Sequence, residues 1–129
     1  MNQLIQGRVY CLLDTSFILT CIRNKIDFFE ELKLEGTEII IPEKVIKEIE
    51  KIKNSKKSEA KPEADLALKF IKAKKPKIIQ LKGKTTDNAI INYAKQNPGV
   101  IIATLDREIK KKTKNHKLLI RSKKKLEII

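Results

Sequence analysis

Apolar residues in this chain come in short unbroken runs, separated by longer segments in which they recur every three or four positions. The unbroken runs predict strands over 8–13, 38–41, 77–81, 100–103 and 118–120. The periodic segments predict helices over 17–23, 27–34, 64–73, 87–96 and 108–114. A further helix is expected after Pro42, which takes its first position, with Val45, Ile46, Ile49 and Ile52 at helical spacing. Asp14-Thr15-Ser16 is a helix-start signal, and Gly36 closes the second helix. A short pairing at 126–128 ends the chain.

Strands alternate with helices almost throughout, so the expected fold class is α/β. Its architecture is a three-layer α/β/α sandwich around a central parallel sheet, because runs apolar at every position must be covered on both faces. The crossovers are long enough to be right-handed helical connections. One domain spans 1–129, a length that supports one core and not two. The polar stretch 54–62 reads as a mobile basic loop within that domain, and 121–129 as a short basic tail.

Charge sharpens the picture. Twenty-nine Lys and Arg face sixteen Asp and Glu, a formal net charge of +13, which attracts phosphate-rich partners. Aromatic residues make up only 5%, fewer than a protein gripping single strands mainly by stacking would carry. Cys11 and Cys21 lack CxxC spacing and read as core residues, which argues against a zinc site or a disulfide framework. The single histidine, His116, reads as a surface residue. Asp14 interrupts the most apolar stretch and no leader pattern precedes it, so no membrane segment is expected and the protein reads as cytoplasmic. Walker A, GxGxxG, GxSxG and HExxH motifs are absent.

The acidic residues carry the candidate chemistry. Ligands of open parallel sheets bind outside the carboxyl ends of the strands. Asp14 and Asp106 follow two of the expected strands, and Asp87 opens a helix. Glu48, on the second helical turn after Pro42, is near enough to join them, although Glu43 and Glu50 compete. Each aspartate alone reads equally well as a helix cap. Together they do not: carboxylates about 5 Å apart repel by roughly 3 kcal/mol at an effective dielectric near 20. Such a cluster needs a cation or a shared proton. Oxygen donors without His or thiolate favour Mg²⁺ or Mn²⁺, and the natural chemistry is phosphodiester hydrolysis by an activated water.

Four segments then resemble one family. They are Leu13-Asp14-Thr15-Ser16-Phe17; Ile41-Pro42 followed after three residues by Ile46-Lys47-Glu48-Ile49; Thr86-Asp87-Asn88-Ala89-Ile90-Ile91; and Ala103-Thr104-Leu105-Asp106-Arg107-Glu108-Ile109. In this order and spacing they look like the PIN-domain ribonucleases, over residues 9–120. The resemblance implies a Rossmann-like sandwich and a Mg²⁺- or Mn²⁺-dependent endoribonuclease. It carries catalytic, metal-binding roles to Asp14, Glu48, Asp87 and Asp106, and supporting roles to Ser16 and Thr104. The third and fourth segments are most similar to the branch acting in ribosomal RNA processing. There Asn88 stands where a second aspartate is frequent, and Glu108 where a further acid is frequent. Many relatives dimerise, so the resemblance leaves a homodimer open.

Lysines flank the expected site. Lys82 and Lys84 precede Asp87, while Lys110, Lys111 and Lys112 follow Asp106. These five are the candidate RNA contacts, giving affinity and salt dependence without sequence choice. RNA, as ribosomal RNA or its precursor, is the expected partner. Alternatives are the toxin ribonuclease of a toxin–antitoxin pair, which adds an antitoxin partner, and a non-catalytic RNA-binding scaffold. A phosphoacceptor regulator fits poorly, because the acids around Asp14 are not paired.

Overall fold

The computed structural model describes residues 4–129. β1 (Val9–Leu13) is the central strand, with Tyr10 to Leu13 wholly buried between helical layers. It pairs in parallel with β2 (Thr37–Pro42) on one side and β4 (Ile101–Ala103) on the other. β3 (Lys77–Ile79) pairs with the outer side of β2, giving the order β3-β2-β1-β4. The chain winds outward from β1 to β3 and then returns to the far side of β1. The sheet therefore has its switch point between β1 and β4, where the crevice of an open α/β sheet lies.

The crossovers are α1 (Thr15–Arg23), α2 (Phe28–Leu34), α3 (Glu43–Asn54), α4 (Lys61–Lys74) and α5 (Thr86–Gln96). A short α6 (Arg107–Lys112) follows β4. Phe17, Ile18 and Cys21 of α1, Val45 and Ile49 of α3, and Ile90 and Ala94 of α5 enter one core with Cys11, Leu12, Ile40 and Ile102. Both cysteines are free and buried, and among the described residues no helix is long and apolar enough to cross a membrane.

Three expectations change in detail. Pro42 is the last residue of β2 and the cap of α3, not its first helical residue. It pairs with Ile79 at the end of the ladder, where a missing N–H is tolerated. The polar stretch at 54–62 shrinks to the turn between α3 and α4, because Asn54 completes one helix and Lys61 and Pro62 start the next. Ser55 and Ser58 hydroxyls accept from Lys57 and Ala60 N–H across that turn. The segment 118–120 is not a full strand of the central sheet. A single parallel bridge, Ile102 to Lys117, joins it to β4. β5 (Leu118–Arg121) pairs instead with β6 (Lys125–Ile128) in an antiparallel hairpin that takes up the expected tail. Of its apolar residues only Leu118 is buried. His116 is on the surface, its Nδ1 against the Ile129 carbonyl.

Candidate active site

Asp14 ends β1 and caps α1. Its Oδ1 accepts from Thr15 N–H at 2.8 Å, and its Oδ2 accepts from the Thr104 hydroxyl at 2.7 Å. Its own N–H donates to the Ala103 carbonyl, tying the ends of β1 and β4 together. Thr104, fully buried, also accepts from Asp106 N–H at 3.0 Å. One hydroxyl thus sets the spacing between two aspartates ninety-two positions apart. Asp106 caps α6, its Oδ1 accepting from the N–H groups of Glu108 and Ile109 at 2.8 and 3.0 Å.

Asp87 differs from the other two. Thr85 caps α5 by accepting from Asn88 N–H, so Asp87 is not a cap and its carboxylate remains available. After burial, the neighbouring Asp106 carboxyl is the strongest influence raising it above the ordinary carboxylate range. Glu48 arrives from α3 and accepts a hydrogen bond from the Thr15 hydroxyl. Its competitors lie elsewhere: Glu43 pairs with Lys47 and bonds Gln80, and Glu50 is exposed.

Asp14 and Asp87 are each coupled electrostatically to the other acids. Burial raises the Asp14 carboxyl above the ordinary range, against the lowering effect of Thr104 and Thr15, and Glu48 and Asp106 raise it further. Asp87 is raised by burial, then by Asp106, Asp14 and Glu48. Despite the +13 charge, none of the four forms an ion pair among the described residues. Neither do three or more acidic, His or Cys side chains form a ready metal cage among them. The cluster is an oxygen-only set, loosely gathered. That donor set suits a hard cation that keeps waters and takes substrate oxygens rather than one enclosed by protein.

The supporting residues divide. Thr104 bridges two carboxylates, and Thr15, which the motif reading passed over, orients Glu48. Its neighbour Ser16 is exposed on the first turn of α1, with no side-chain hydrogen bond among those described. A helix turns 100° per residue, so adjacent hydroxyls face different ways, and sequence spacing could not choose between them. Asn88 is exposed beside Asp87, and Glu108 turns to Lys112 at 2.8 Å. Lys82, Lys84 and Lys111 are exposed and Lys110 partly so. A cavity of about 730 Å³ between β3 and α5, lined by Gln80, Lys82, Asn92, Tyr93 and Gln96 among others, contains none of the four carboxylates.

Gly83 sets where α5 begins. A Cβ there would lie 2.9 Å from the backbone N and Cα of Ala89, too close for any neighbour that cannot move. Gly83→Ala is therefore expected to push back the first turns of α5, which carry Asp87. We expect a loss of about 1–3 kcal/mol in stability, read from denaturant midpoints, with a fall in activity beyond what unfolding explains.

The fold and this carboxylate edge define a class. The chain belongs to the family of PIN-domain ribonucleases: the model of the PIN-like domain matches residues 11–123. It is similar to Ribonuclease VapC4 of Methanocaldococcus jannaschii, 32% identical over 121 residues that cover 89% of this chain and 92% of that protein. Among solved structures it resembles the PIN domain endonuclease Utp24, with a TM-score of 0.73 and 24% identity over 92% of this chain and 90% of that one. It also resembles VapBC2 from Rickettsia felis, solved bound to a DNA fragment from their promoter. There the TM-score is 0.51 and identity 15%, over 84% of this chain and 98% of that one. At these identities the structural likenesses speak for the fold alone.

Proposed function

We propose that the protein is a metal-dependent endoribonuclease in which Asp14, Glu48, Asp87 and Asp106 are the catalytic carboxylates. The observation that carries this is their convergence. Acids from three crossovers and from α6 lie near the switch point of the sheet. Burial, Glu48 and Asp106 raise Asp14, and burial, Asp106, Asp14 and Glu48 raise Asp87. No ion pair among the described residues neutralises any of the four. Similarity to Ribonuclease VapC4 supports RNA as the substrate.

In this reading Mg²⁺ or Mn²⁺, when bound, lowers the pKa of a coordinated water and stabilises charge on the attacking and leaving oxygens. The protein's part is positioning. Thr15 N–H and Thr104 hold both Asp14 oxygens, Thr104 fixes the Asp106 backbone, and the Thr15 hydroxyl aims Glu48. Asp87, free of capping, is raised by burial and by the neighbouring Asp106 carboxyl. Lys82 and Lys84 on one side, and Lys110 to Lys112 on the other, draw the phosphate backbone to this edge. Glu108 reduces the contribution of Lys112 by pairing with it.

The motif wording around Asp87 and Asp106 supports a role in ribosomal RNA processing. A toxin role is favoured separately by the likeness to Ribonuclease VapC4. Incubating the protein with ribosomal precursor, stem-loop and circular RNAs in Mg²⁺ or Mn²⁺, then mapping the ends, tests the activity. Cleavage of circular RNA establishes an internal cut. Glu48→Gln is expected to slow cleavage by about 10²-fold, since Glu48 joins the cluster through Thr15. Growth arrest on expression alone, relieved by a neighbouring gene product, would decide for the toxin. Cleavage confined to a precursor site without arrest would decide for processing.

A further inference from the structure

The β5–β6 hairpin points toward the carboxylate edge. Ile102 N–H donates to the His116 carbonyl at 2.9 Å, and the bridge from Ile102 to Lys117 is parallel. β5 therefore leaves in the direction in which β4 runs. β4 ends one residue later, at Ala103, whereas β5 continues to Arg121. Four residues beyond Lys117 extend about 13 Å, so the hairpin tip passes the end of β4 toward the side where Thr104 and Asp106 follow.

The arm is anchored and its tip is charged. Leu118 is buried, Ile120 and Leu126 pack on the core, and Lys117 and Ile129 exchange backbone bonds at 2.9 and 3.0 Å. Positions 121–125 read Arg-Ser-Lys-Lys-Lys and are exposed throughout. Arg121 is neutralised by Glu127 at 3.0 Å, but Lys123, Lys124 and Lys125 form no ion pair among the described residues. Three residues join the pair Arg121 and Lys125, and the first two, Ser122 and Lys123, are held at φ 51° and 62°. Gly or Asn is the easier residue there, yet the turn carries a lysine.

We infer that this hairpin is an RNA-binding arm: Lys123, Lys124 and Lys125 grip the phosphodiester backbone of a strand lying across the carboxylate edge, flanking the cleavage site. The inference rests on the ribonuclease reading for its substrate. Charge complementarity identifies the occupant, since three ammonium groups on an exposed tip, with no ion pair among the described residues, suit a repeating anion and not an apolar partner. The arm selects no sequence, because phosphate contacts position a strand without reading its bases.

The test replaces Lys123, Lys124 and Lys125 together by Gln. A control triple, Lys72→Gln, Lys74→Gln and Lys95→Gln, removes the same charge from the last turns of α4 and α5, which lead into the opposite edge of the sheet. Binding of a single-stranded RNA is measured without divalent ions across a salt series, and cleavage kinetics in Mn²⁺. The tip triple is expected to weaken binding about tenfold and to reduce the log–log salt slope by about 2, with KM raised and kcat kept. The control should change affinity less than twofold. Equal losses from both triples, or none from the tip, would overturn the arm while leaving the nuclease intact. RNA binding lost through the tip in a protein that cleaves nothing would retain the arm and remove the nuclease. No RNA binding by the parent protein would remove both.

Discussion

Asp14→Asn is expected to lower RNA cleavage in Mn²⁺ by about 10³-fold, some 4 kcal/mol of transition-state stabilisation, with the fold intact. Asp14 ends β1, bonds Thr104 and is only 6% exposed. Asparagine keeps the size, and its amide oxygen can still accept from Thr15 N–H and cap α1. What it loses is the charge that would hold the cation. Thr104→Val should cost less, about tenfold, because Thr104 acts by orienting Asp14 and Asp106. Cleavage rates with melting curves for each variant check this. Full activity of Asp14→Asn in Mn²⁺ would remove the catalytic assignment and favour the scaffold reading.

The second large effect couples stability, pH and the cation. Asp14 and Asp87 have carboxyl pKa values raised in the folded state. Between the unfolded and folded pKa the folded protein binds more protons, so stability from these groups rises as pH falls through that window. Above that window the carboxylates are charged and the repulsion is at its full extent. Asp87→Asn should therefore raise the metal-free melting temperature at pH 7, by a few degrees for an effect on the order of 1 kcal/mol after solvent screening. The gain should shrink as pH is lowered through the raised carboxyl range. Asp87 suits this test because Thr85, not Asp87, caps α5. Mn²⁺ should stabilise the parent protein at pH 7, less so at low pH where protons compete, and less in Asp87→Asn. Comparison with the parent at each pH removes the opposite contribution of Glu43 and Asp65, whose pKa values are lowered by Lys47 and Lys69 respectively. Calorimetry from pH 4.5 to 8 reads all of this. A variant less stable than the parent at pH 7 would mean that the acids do not repel one another.

Much of this protein is local in origin. The uninterrupted run Tyr10 to Leu13 is buried on both faces because it has no polar position to give to solvent. Asp14 and Asp106 begin helices because short acidic side chains satisfy free N–H groups, and that was legible from the residues next to them. The family motifs single out Asp14, Glu48, Asp87 and Asp106, and the electrostatic coupling of Asp14 and Asp87 to the other two is what the fold adds to them. Local pattern failed where a choice depended on the far side of a contact. Thr15 and Ser16 are equivalent as helix-start residues, and only the packing of α3 beside α1 makes Thr15 the one that meets Glu48. Pro42 suits a strand end as well as a helix start, and pairing with β3 decided it. Likewise the 118–120 run is apolar enough for a core strand, yet β6 offered it a longer ladder than β4 did.

By itself, then, the sequence determined the elements, their order, the acids at strand ends and the surplus of positive charge. These follow from interactions between neighbours along the chain. The tertiary structure alone decided that β1 lies between β2 and β4, so that Asp14 meets Thr104, and that β5 runs parallel to β4 before turning at Ser122–Lys124. Strand order and register are settled by contacts between residues far apart in the chain, and no local spacing encodes which strands will be neighbours.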